Sequence, residues 1–350
     1  MKYRLGNICK IGDGLHGTPN YCKNNEFYFI NGNNLKGELI DLSNARSVSK
    51  AEYLKYNPNL IPQKTVLLSI NGTLGNTAIY NGESIILSKS VAFFECSTDI
   101  ITPEYLKLYF ESCNFQNILN NMATGTTIKN VGLKSLRSLM IDLPSINIQR
   151  EIVNIIKPFE NKLYLNNQIN DNLISLATTL FNKYFPNINS GNEMIGNFIS
   201  NYDRLRKPLS KKERLSIPGK YRYIGATSVN DYINKYNFDG IYLLLGEDGT
   251  VEDDNGYPIL QYISGKFWPN NHAHVLQGKN VSTEWLYLFF KQRKITSIVT
   301  GAVQKKISQK NLNSLSISIP DKDKLARFDT IINPIFKNIR IIESENHSLE

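Results

Sequence analysis

The chain repeats itself, and this repeat constrains the fold more than any other feature of the sequence. Residues 124–144 (TGTTIKNVGLKSLRSLMIDLP) align without a gap on residues 300–320 (TGAVQKKISQKNLNSLSISIP), and Pro158 and Pro334 keep the same spacing. Two earlier pairs match with small insertions: ITPEYLKLYF (101–110) with VSTEWLYLFF (281–290), and LLSINGT (67–73) with LLLGEDGT (243–250). A repeat of this length predicts two copies of one domain, each followed by a helix.

The first part of each copy is predicted to be rich in strands. TVLLSING, NTAIYNG and SVAFFE contain the β-branched and aromatic residues typical of strands, and Asn-Gly turns separate them. Thr102 is followed by Pro103 and Glu104, which together form a strong helix start. We expect this helix to run to about Met122.

A long helix is predicted at the end of each copy. From Ile148 onwards, apolar residues recur in steps of three and four, with Asn166 among them, which is typical of a coiled-coil seam. The predicted seam positions are 152, 155, 159, 163, 166, 169, 173, 176 and 180. Pro158 and Pro334 interrupt the pattern, and we expect each to restart its helix from a first-turn position.

The net charge of +9 is divided between two blocks. Residues 190–320 carry 17 Lys and Arg against 11 Asp and Glu, and residues 1–143 carry 14 against 11. The segments between and after these blocks are nearly neutral. This distribution suggests a polyanionic partner that contacts both domains.

The stretch IGDGLHGTPNY (11–21) contains the pattern G-x-G-x-x-G, which can bind the pyrophosphate of a dinucleotide. That motif requires a helix to open within it, whereas Pro19 and Asn20 follow at once here. We therefore reject a nucleotide site. Two interpretations stay open: a structural turn, or a flexible loop that presents His16, Thr18 and Lys23 to a ligand.

Other catalytic and metal-binding patterns are weak. The four cysteines form no C-x-x-C pair, and we expect Cys9 and Cys113 to be buried thiols. HAH (272–274) could place two imidazoles on one strand face, but no further ligand stands nearby in the sequence, so we predict no metal site. EDGTVEDD (247–254) is predicted to be a solvated acidic hairpin. The N-terminus has no apolar signal segment, which favours a cytoplasmic location.

The order of motifs resembles the specificity subunit of type I restriction–modification enzymes over essentially the whole chain. QREIVNIIKPFENKLYLNNQINDNLISLATTLFNKYF (149–185) resembles the central conserved helix of that family. IGDGLHGTPNY, LLSINGTLGNTAIY and TGTTIKNV…LKSL…IDLP resemble the opening, middle and closing segments of its target-recognition domains.

The resemblance implies an α+β fold: tandem duplicated mixed β/α target-recognition domains, separated by long helices that form an antiparallel coiled coil. The expected parts are target-recognition domain 1 (1–143), a central helical spacer (144–189), target-recognition domain 2 (190–320) and a C-terminal helix (321–350). The family usually continues this last helix for a few turns beyond IIESENHSLE, so we expect either a shortened chain or a short coil.

The implied function is non-enzymatic: each target-recognition domain reads one half of a bipartite site in double-stranded DNA. The implied partners are two modification subunits and, through the complex, restriction subunits; no membrane is involved. No cofactor is expected in this chain, whereas S-adenosylmethionine, ATP and Mg are expected on the partner subunits. A stand-alone DNA-binding regulator and a scaffold without a nucleic-acid role are the alternatives.

Candidate DNA contacts follow from charge and from the repeat. RLRKPLSKKER (204–214) concentrates basic residues that could bind phosphates. Lys129 and Lys305 occupy matching positions and could bind phosphates or cap a turn. The full set of candidates is His16, Thr18, Lys23, Asn71, Thr73, Lys129, Tyr202, Arg204, Arg206, Lys207, Lys211, Lys212, Arg214 and Lys305.

Overall fold

The computed structural model describes residues 1–23, 26–56, 61–125, 128–301, 304–318 and 321–349. They form two compact units, Met1–Lys162 and Leu163–Glu350. The boundary between the units lies within the long helix that ends the first copy of the repeat.

The first unit contains a four-stranded antiparallel sheet and smaller sheets. Its strands are β1 (Lys2–Arg4), β2 (Cys9–Asp13), β3 (Phe27–Ile30), β4 (Leu35–Lys36), β5 (Leu39–Ile40), β6 (Arg46–Val48), β7 (Thr65–Ser69), β8 (Thr77–Tyr80), β9 (Ile85–Leu87), β10 (Val91–Cys96) and β11 (Met140–Asp142). The main sheet has the order β2-β10-β7-β8, and a second sheet has the order β6-β3-β9. The strands predicted from TVLLSING, NTAIYNG and SVAFFE are confirmed as β7, β8 and β10.

The second unit contains one larger sheet. Its strands are β12 (Glu193–Met194), β13 (Ile199–Asn201), β14 (Pro218–Ile224), β15 (Val229–Ile233), β16 (Phe238–Gly246), β17 (Leu260–Pro269), β18 (Ala273–Gly278) and β19 (Ser316–Ile317). The order β13-β18-β16-β17-β14-β15 is antiparallel except for the parallel pair β14–β17.

Both units have the same strand connectivity. The order β2-β10-β7-β8 in the first unit corresponds to β13-β18-β16-β17 in the second. The ten-residue β17 continues into a parallel pairing with β14, and the same path in the first unit is divided between β8 and β9, of which β9 pairs in parallel with β3. Strand β6 pairs with β3 in the first unit, and β15 pairs with β14 in the second, so each adds an antiparallel neighbour at the same place. The predicted duplicated α+β fold is therefore confirmed.

Helices cover the sheets and connect the two copies. In the first unit they are α1 (Leu5–Ile8), α2 (Lys50–Tyr56), α3 (Pro103–Glu111), α4 (Cys113–Met122) and α5 (Leu133–Ser138). The long α6 (Ile146–Tyr184) follows, and then α7 (Lys211–Leu215), α8 (Thr283–Lys291), α9 (Gln309–Asn313) and α10 (Lys322–Leu349). Among the described residues, no helix combines the length and the apolar character needed to cross a membrane.

The prediction of one helix from Thr102 to Met122 is wrong, because the chain breaks at Ser112. The backbone of Ser112 is extended (φ −61°, ψ 142°), and its hydroxyl accepts a hydrogen bond from the Phe115 N–H at 3.3 Å. Ser112 therefore caps α4 as a new helix. The break lets the rings of Phe110 and Phe115 pack with centroids 4.5 Å apart in the core. Cys113, at the start of α4, is exposed rather than buried as predicted, whereas Cys9 is buried.

The prolines do not restart the long helices as predicted. Pro158 lies inside the 39-residue α6, and Pro334 lies inside the 28-residue α10. Both prolines are exposed on their helices, so water can reach the backbone carbonyl that loses its N–H donor one turn earlier. Packing along the remaining length of each helix outweighs the local loss.

In the second unit, the last part of α6 packs antiparallel to α10. Nδ2 of Asn166 donates to Glu345 Oε2 at 2.8 Å and to Asn346 Oδ1 at 2.7 Å. Phe181 meets Phe328 with ring centroids 5.8 Å apart. Residues later in α6 therefore contact residues earlier in α10, so the two helices run in opposite directions.

Part of the predicted seam is wrong. Asn166 is buried as expected, and Ala177 and Phe181 are buried beside it in the helix pair. Ile169 and Leu176, however, have exposed fractions of 45% and 49%. Apolar residues lie on two sides of this helix, so their spacing alone cannot tell which side faces α10.

Equivalent positions in the two units hold the long helices by different chemistry. In the first unit, the Lys107 ammonium lies 3.0 Å from Glu38, 3.1 Å from Glu111 and 2.7 Å from Glu160 of α6, and its side chain is 2% exposed. Burial lowers the pKa of Lys107, but the three carboxylates raise it further, so the net shift is upward.

In the second unit, the repeat places Tyr287 where the first has Lys107, and Phe336 of α10 where the first has Glu160. The rings of Tyr287 and Phe336 pack edge to face with centroids 5.9 Å apart, and Tyr262 packs against both. An ionic cluster in one unit is thus replaced by aromatic packing in the other.

Candidate nucleic-acid interface

In the first unit, candidate residues lie on segments that leave one edge of the main sheet. Strands β2 and β7 run in the same direction because both are antiparallel to β10, which lies between them. The loop after β2 (14–23) and the turn after β7 (70–76) therefore begin at the same edge. Segment 128–130 joins them there, because the Gly72 N–H donates to the Lys129 carbonyl at 3.0 Å.

The second unit repeats this arrangement. Strands β13 and β16 are both antiparallel to β18, so segment 202–214 and the loop after β16 (247–259) begin at one edge. The Gly249 N–H donates to the Lys305 carbonyl at 2.9 Å, which matches the bond between Gly72 and Lys129. The basic segment 204–214 is therefore the counterpart of the opening loop with His16, a relation that the repeat in sequence does not show.

Neutral polar contacts dominate the edge of the first unit. They are Asn71 Nδ2 to Asn130 Oδ1 (3.2 Å), Thr73 Oγ1 to Asn33 Oδ1 (2.7 Å) and Lys129 Nζ to Asn120 Oδ1 (3.0 Å). Thr73 and Lys129 are exposed. The edge thus offers amide groups, a hydroxyl and an ammonium that no carboxylate neutralises among the described residues.

The glycines of the opening loop are explained by close packing between strands. A Cβ at Gly12 would lie 2.4 Å from the Phe93 ring, and a Cβ at Gly14 would lie 2.1 Å from the Leu87 carbonyl oxygen. No helix follows the motif up to residue 23, as the rejection of a dinucleotide site requires.

The rest of the opening loop is accessible. His16, Thr18 and Lys23 are exposed, and His16 Nε2 lies 2.8 Å from Asp13 Oδ2. Both interpretations stay open, because Gly12 and Gly14 allow close strand packing while His16, Thr18 and Lys23 are exposed to solvent.

The acidic loop after β16 is ion-paired rather than simply solvated, which corrects the prediction for 247–254. Lys305 Nζ lies 2.8 Å from Glu252 Oε1, and its hydrogen bond holds the pKa of Glu252 below the usual range. Gln304 Nε2 donates to Asp248 Oδ1 at 2.6 Å. Lys305 is therefore partly neutralised, unlike its counterpart Lys129.

Arg206 is part of the fold, contrary to its prediction as a free phosphate contact. Its side chain is only 12% exposed, and its Nη1 donates to Glu247 Oε2 and to the Ala273 carbonyl, both at 2.6 Å. These bonds tie the segment after β13 to the ends of β16 and β18. Arg206 has little freedom left to bind another anion.

His274 completes this buried network. Its Nδ1 lies 2.6 Å from Asp203 Oδ2, and its Nε2 lies 2.9 Å from the Ile307 carbonyl. Burial raises the pKa of Asp203, but the hydrogen bonds from His274 and the Val275 N–H lower it more, so the net shift is downward. His272 precedes β18 and is exposed, so the two imidazoles of HAH do not share a strand face.

The prediction that no further ligand lies near HAH is wrong, because the fold brings two carboxylates close to His274. Asp203, Glu247 and His274 offer ligand atoms within 4.8 Å of one another, a spacing that could hold a metal ion. Arg206 already supplies a cation to Glu247, and both ring nitrogens of His274 have oxygen partners. The arrangement fits a guanidinium better than a metal. Sequence reasoning missed it because its members are far apart along the chain.

Arg214 is also engaged internally. Its Nε lies 2.5 Å from Asp231 Oδ2, its Nη1 donates to the Leu209 carbonyl at 2.7 Å, and its guanidinium lies over the Tyr223 ring at 4.7 Å. Tyr202 packs edge to face on Tyr242 beside a hydrophobic core.

The basic residues that stay available are a subset of the candidates. They are Arg204, Lys207, Lys211 and Lys212, which are exposed and have no carboxylate within 4.0 Å among the described residues. Ser210 and Glu213 form a capping box that starts α7 and so fixes the position of Lys211 and Lys212.

The family follows from comparison with known proteins. Residues 1–174 and 199–350 match the family described as the type I restriction modification DNA specificity domain. The chain therefore belongs to this family.

Individual relatives agree with this assignment. A type I restriction enzyme specificity subunit of Haemophilus influenzae is 33% identical over 127 residues, covering 36% of this chain and 31% of that protein. The EcoBI specificity subunit of Escherichia coli is 29% identical and covers 33% of this chain and 24% of its own length. These matches span only about a quarter to a third of each relative. The MjaIX specificity subunit of Methanocaldococcus jannaschii is 20% identical, covering 92% of this chain and 80% of that protein.

A solved structure shares the fold. The S subunit of a type I restriction-modification system from M. genitalium superposes with a TM-score of 0.54 at 14% identity, covering 100% of this chain and 92% of that one. At this identity the likeness concerns the fold alone.

Proposed function

We propose that this chain is the DNA-binding specificity subunit of a type I restriction–modification complex, in which each domain reads one half of a bipartite site. The observation that carries the proposal is the equivalent sheet edge in the two units. The same backbone bonds hold the edge loops in both, while the side chains differ. One scaffold with two sets of exposed side chains is what two different half-sites require.

The exposed groups divide into two roles. Arg204, Lys207, Lys211 and Lys212 carry free positive charge suited to backbone phosphates, which position a protein without specifying sequence. Asn71 and Thr73 carry amide and hydroxyl groups of the kind that bind base edges. His16, Thr18, Lys23 and Lys129 are further candidates at the first edge.

Salt dependence tests the phosphate role. We expect the combined Arg204→Ala, Lys207→Ala, Lys211→Ala and Lys212→Ala variant to flatten the slope of log affinity against log salt by up to about 3.6, since each phosphate contact contributes roughly 0.9. Binding of duplex DNA at several salt concentrations measures this slope. The base preference at the half-site of the first domain is expected to stay unchanged.

The matched control is Arg206→Ala in the same segment. Because Arg206 is bonded within the fold, this change is expected to lower the free energy of unfolding of the second unit rather than to act mainly through the salt slope. An unchanged slope in the quadruple variant would remove segment 204–214 from the proposed interface.

The partners are part of the proposal. Ile155, Phe159, Ile169 and Leu176 leave apolar surface exposed along α6, by 45% to 66% of each residue. We propose that two modification subunits cover such surface, that restriction subunits join through the complex, and that S-adenosylmethionine, ATP and Mg act on those partners.

Co-purification tests this partner assignment. The wild-type chain is expected to be poorly soluble alone. It is expected to co-purify with a co-expressed modification subunit at a ratio of one chain to two modification subunits. An Ile169→Ser, Leu176→Ser variant is expected to retain less of the modification subunit. A soluble wild-type chain that never binds a modification subunit would favour the alternative of a stand-alone DNA-binding regulator.

A further inference from the structure

The second unit contains a cavity of about 690 Å³, and none of the candidate DNA-contact residues lines it. It lies between α6, the last turns of α10 and the strands β14, β15 and β17. Its lining residues are Asn167, Asn170, Lys220, Tyr221, Arg222, Val229, Tyr232, Ser264, Gly265, Lys266, Arg340, Glu343, Ser344, Asn346 and His347. This volume is within the range of small-molecule sites.

Positive charge dominates the cavity. Among the lining residues, Lys220, Arg222, Lys266 and Arg340 face the single carboxyl group of Glu343. Arg340 is already bonded, because its Nη1 donates to the Tyr262 hydroxyl at 2.6 Å and lies 3.1 Å from Glu284 outside the cavity.

The other three cations form no close ion pair among the described residues, although Arg222 attracts the Glu343 carboxyl group, whose pKa burial raises and Arg222 acts to lower. No carboxylate of the described residues lies within 4.0 Å of Lys220, Arg222 or Lys266. Lys220 and Lys266 lie over tyrosine rings, at 5.6 Å and 4.6 Å from the centroids, and Arg222 donates to the Ser264 carbonyl at 2.8 Å. Cations grouped in one recess repel each other unless an anion binds between them.

The remaining wall supplies uncharged hydrogen-bonding groups and flat rings. Asn170 lines the cavity, and its buried Oδ1 is an acceptor with no hydrogen-bond partner among the described residues. Tyr232 lies parallel to His347, with an interplanar angle of 11° and centroids 6.1 Å apart. A ligand with an anionic end, a donor and a planar group matches these features.

We propose that this cavity binds a phosphate-bearing ligand of mononucleotide size, with Lys220, Arg222 and Lys266 around the phosphate. The guanidinium of Arg222 keeps donors in the planar arrangement that suits phosphate oxygens. A free mononucleotide as ligand goes beyond the proposed function, whereas a DNA phosphate as ligand deepens that function and rests on it. A free mononucleotide and a backbone phosphate of DNA both offer this chemistry, so the experiment separates the two sources.

The first arm uses small molecules and the full chain. Calorimetric titration with AMP is expected to show binding that weakens about tenfold or more in a Lys220→Ala, Lys266→Ala variant, because charge-assisted hydrogen bonds are lost. Adenosine, which lacks the phosphate, is expected to bind at least about tenfold more weakly than AMP to the wild-type chain.

The second arm uses duplex DNA. If the phosphate comes from the DNA backbone, AMP does not bind, and the Lys220→Ala, Lys266→Ala variant flattens the salt slope by about 1.8, which corresponds to two contacts. A Lys291→Ala, Lys294→Ala variant is the control for both arms. It removes two lysines that also lie over tyrosine rings, at 5.9 Å and 5.7 Å, but do not line the cavity.

Either arm supports the inference when the Lys220→Ala, Lys266→Ala variant loses AMP affinity or flattens the salt slope and the control variant does not. Equal effects of the two double variants, or no effect in either arm, would overturn it. If the chain does not bind DNA at all, the proposed function fails, while AMP binding that depends on Lys220 and Lys266 still supports the cavity as a phosphate site.

Discussion

Exchange of residues 190–320 for the second domain of another family member is expected to rewrite one half of the methylated target and to leave the other half unchanged. The physical reason is that each unit has its own sheet, its own core and its own edge loops. We therefore expect the base contacts made by one edge to be independent of the side chains at the other. Mapping of methylated sites in cells that carry the chimera and its modification partner measures both halves.

The reciprocal exchange of residues 1–143 is the matched control and should rewrite only the other half. If both half-sites changed together in either chimera, or if neither changed, two independent readers would not describe this protein.

Lys107→Ala is expected to lower the free energy of unfolding of the first unit by about 3 kcal/mol at neutral pH, because it leaves three partly buried carboxylates without their cation. Glu38, Glu111 and Glu160 all lie within 3.1 Å of this ammonium. Urea unfolding, followed by hydrogen exchange in peptides from the first unit, measures the loss. Lys10→Ala is the control: its pair with Glu95 is exposed, with 73% of the lysine side chain accessible, and its loss should cost no more than about 1 kcal/mol.

The destabilisation caused by Lys107→Ala should become smaller as the pH falls. In the wild-type chain, burial raises the pKa of Glu38 but Lys107 lowers it by more, so the stability contributed by Glu38 is lost as the pH falls through its depressed pKa. In the variant, loss of the ammonium is expected to raise the pKa of Glu38, so its protonation at falling pH relieves repulsion between the carboxylates. A loss that is the same at pH 5 and pH 7 would contradict this account.

The sequence predicts the fold well where its signal repeats. The alignment of 124–144 with 300–320 indicates the duplication, and alternating strand residues with Asn-Gly turns predict β7, β8 and β10. Local breaks are harder to predict. Ser112 ends one helix and caps the next because Phe115 has to reach the core, and nothing around Ser112 in the sequence distinguishes it from a serine within a helix.

The site is only partly predictable, because sequence gives charge but not partners. Arg204 and Arg206 stand two residues apart with the same charge, yet one is exposed and the other is bonded to Glu247. The glycines in 12–17 also resemble a ligand motif, although the packing of Phe93 and Leu87 explains two of them. Which DNA contacts form stays a prediction.

The different anchors of the long helices limit how far these domains can be transposed. A domain moved from the second position to the first would set Tyr287 against Glu160, which would lose its ammonium partner. The opposite move would carry Glu38 and Glu111 along with the buried Lys107 but would set its ammonium against the ring of Phe336 in place of Glu160. Each domain is therefore compatible with the helix of its own position, so recombination between genes of this family should succeed far more often within a position than across positions.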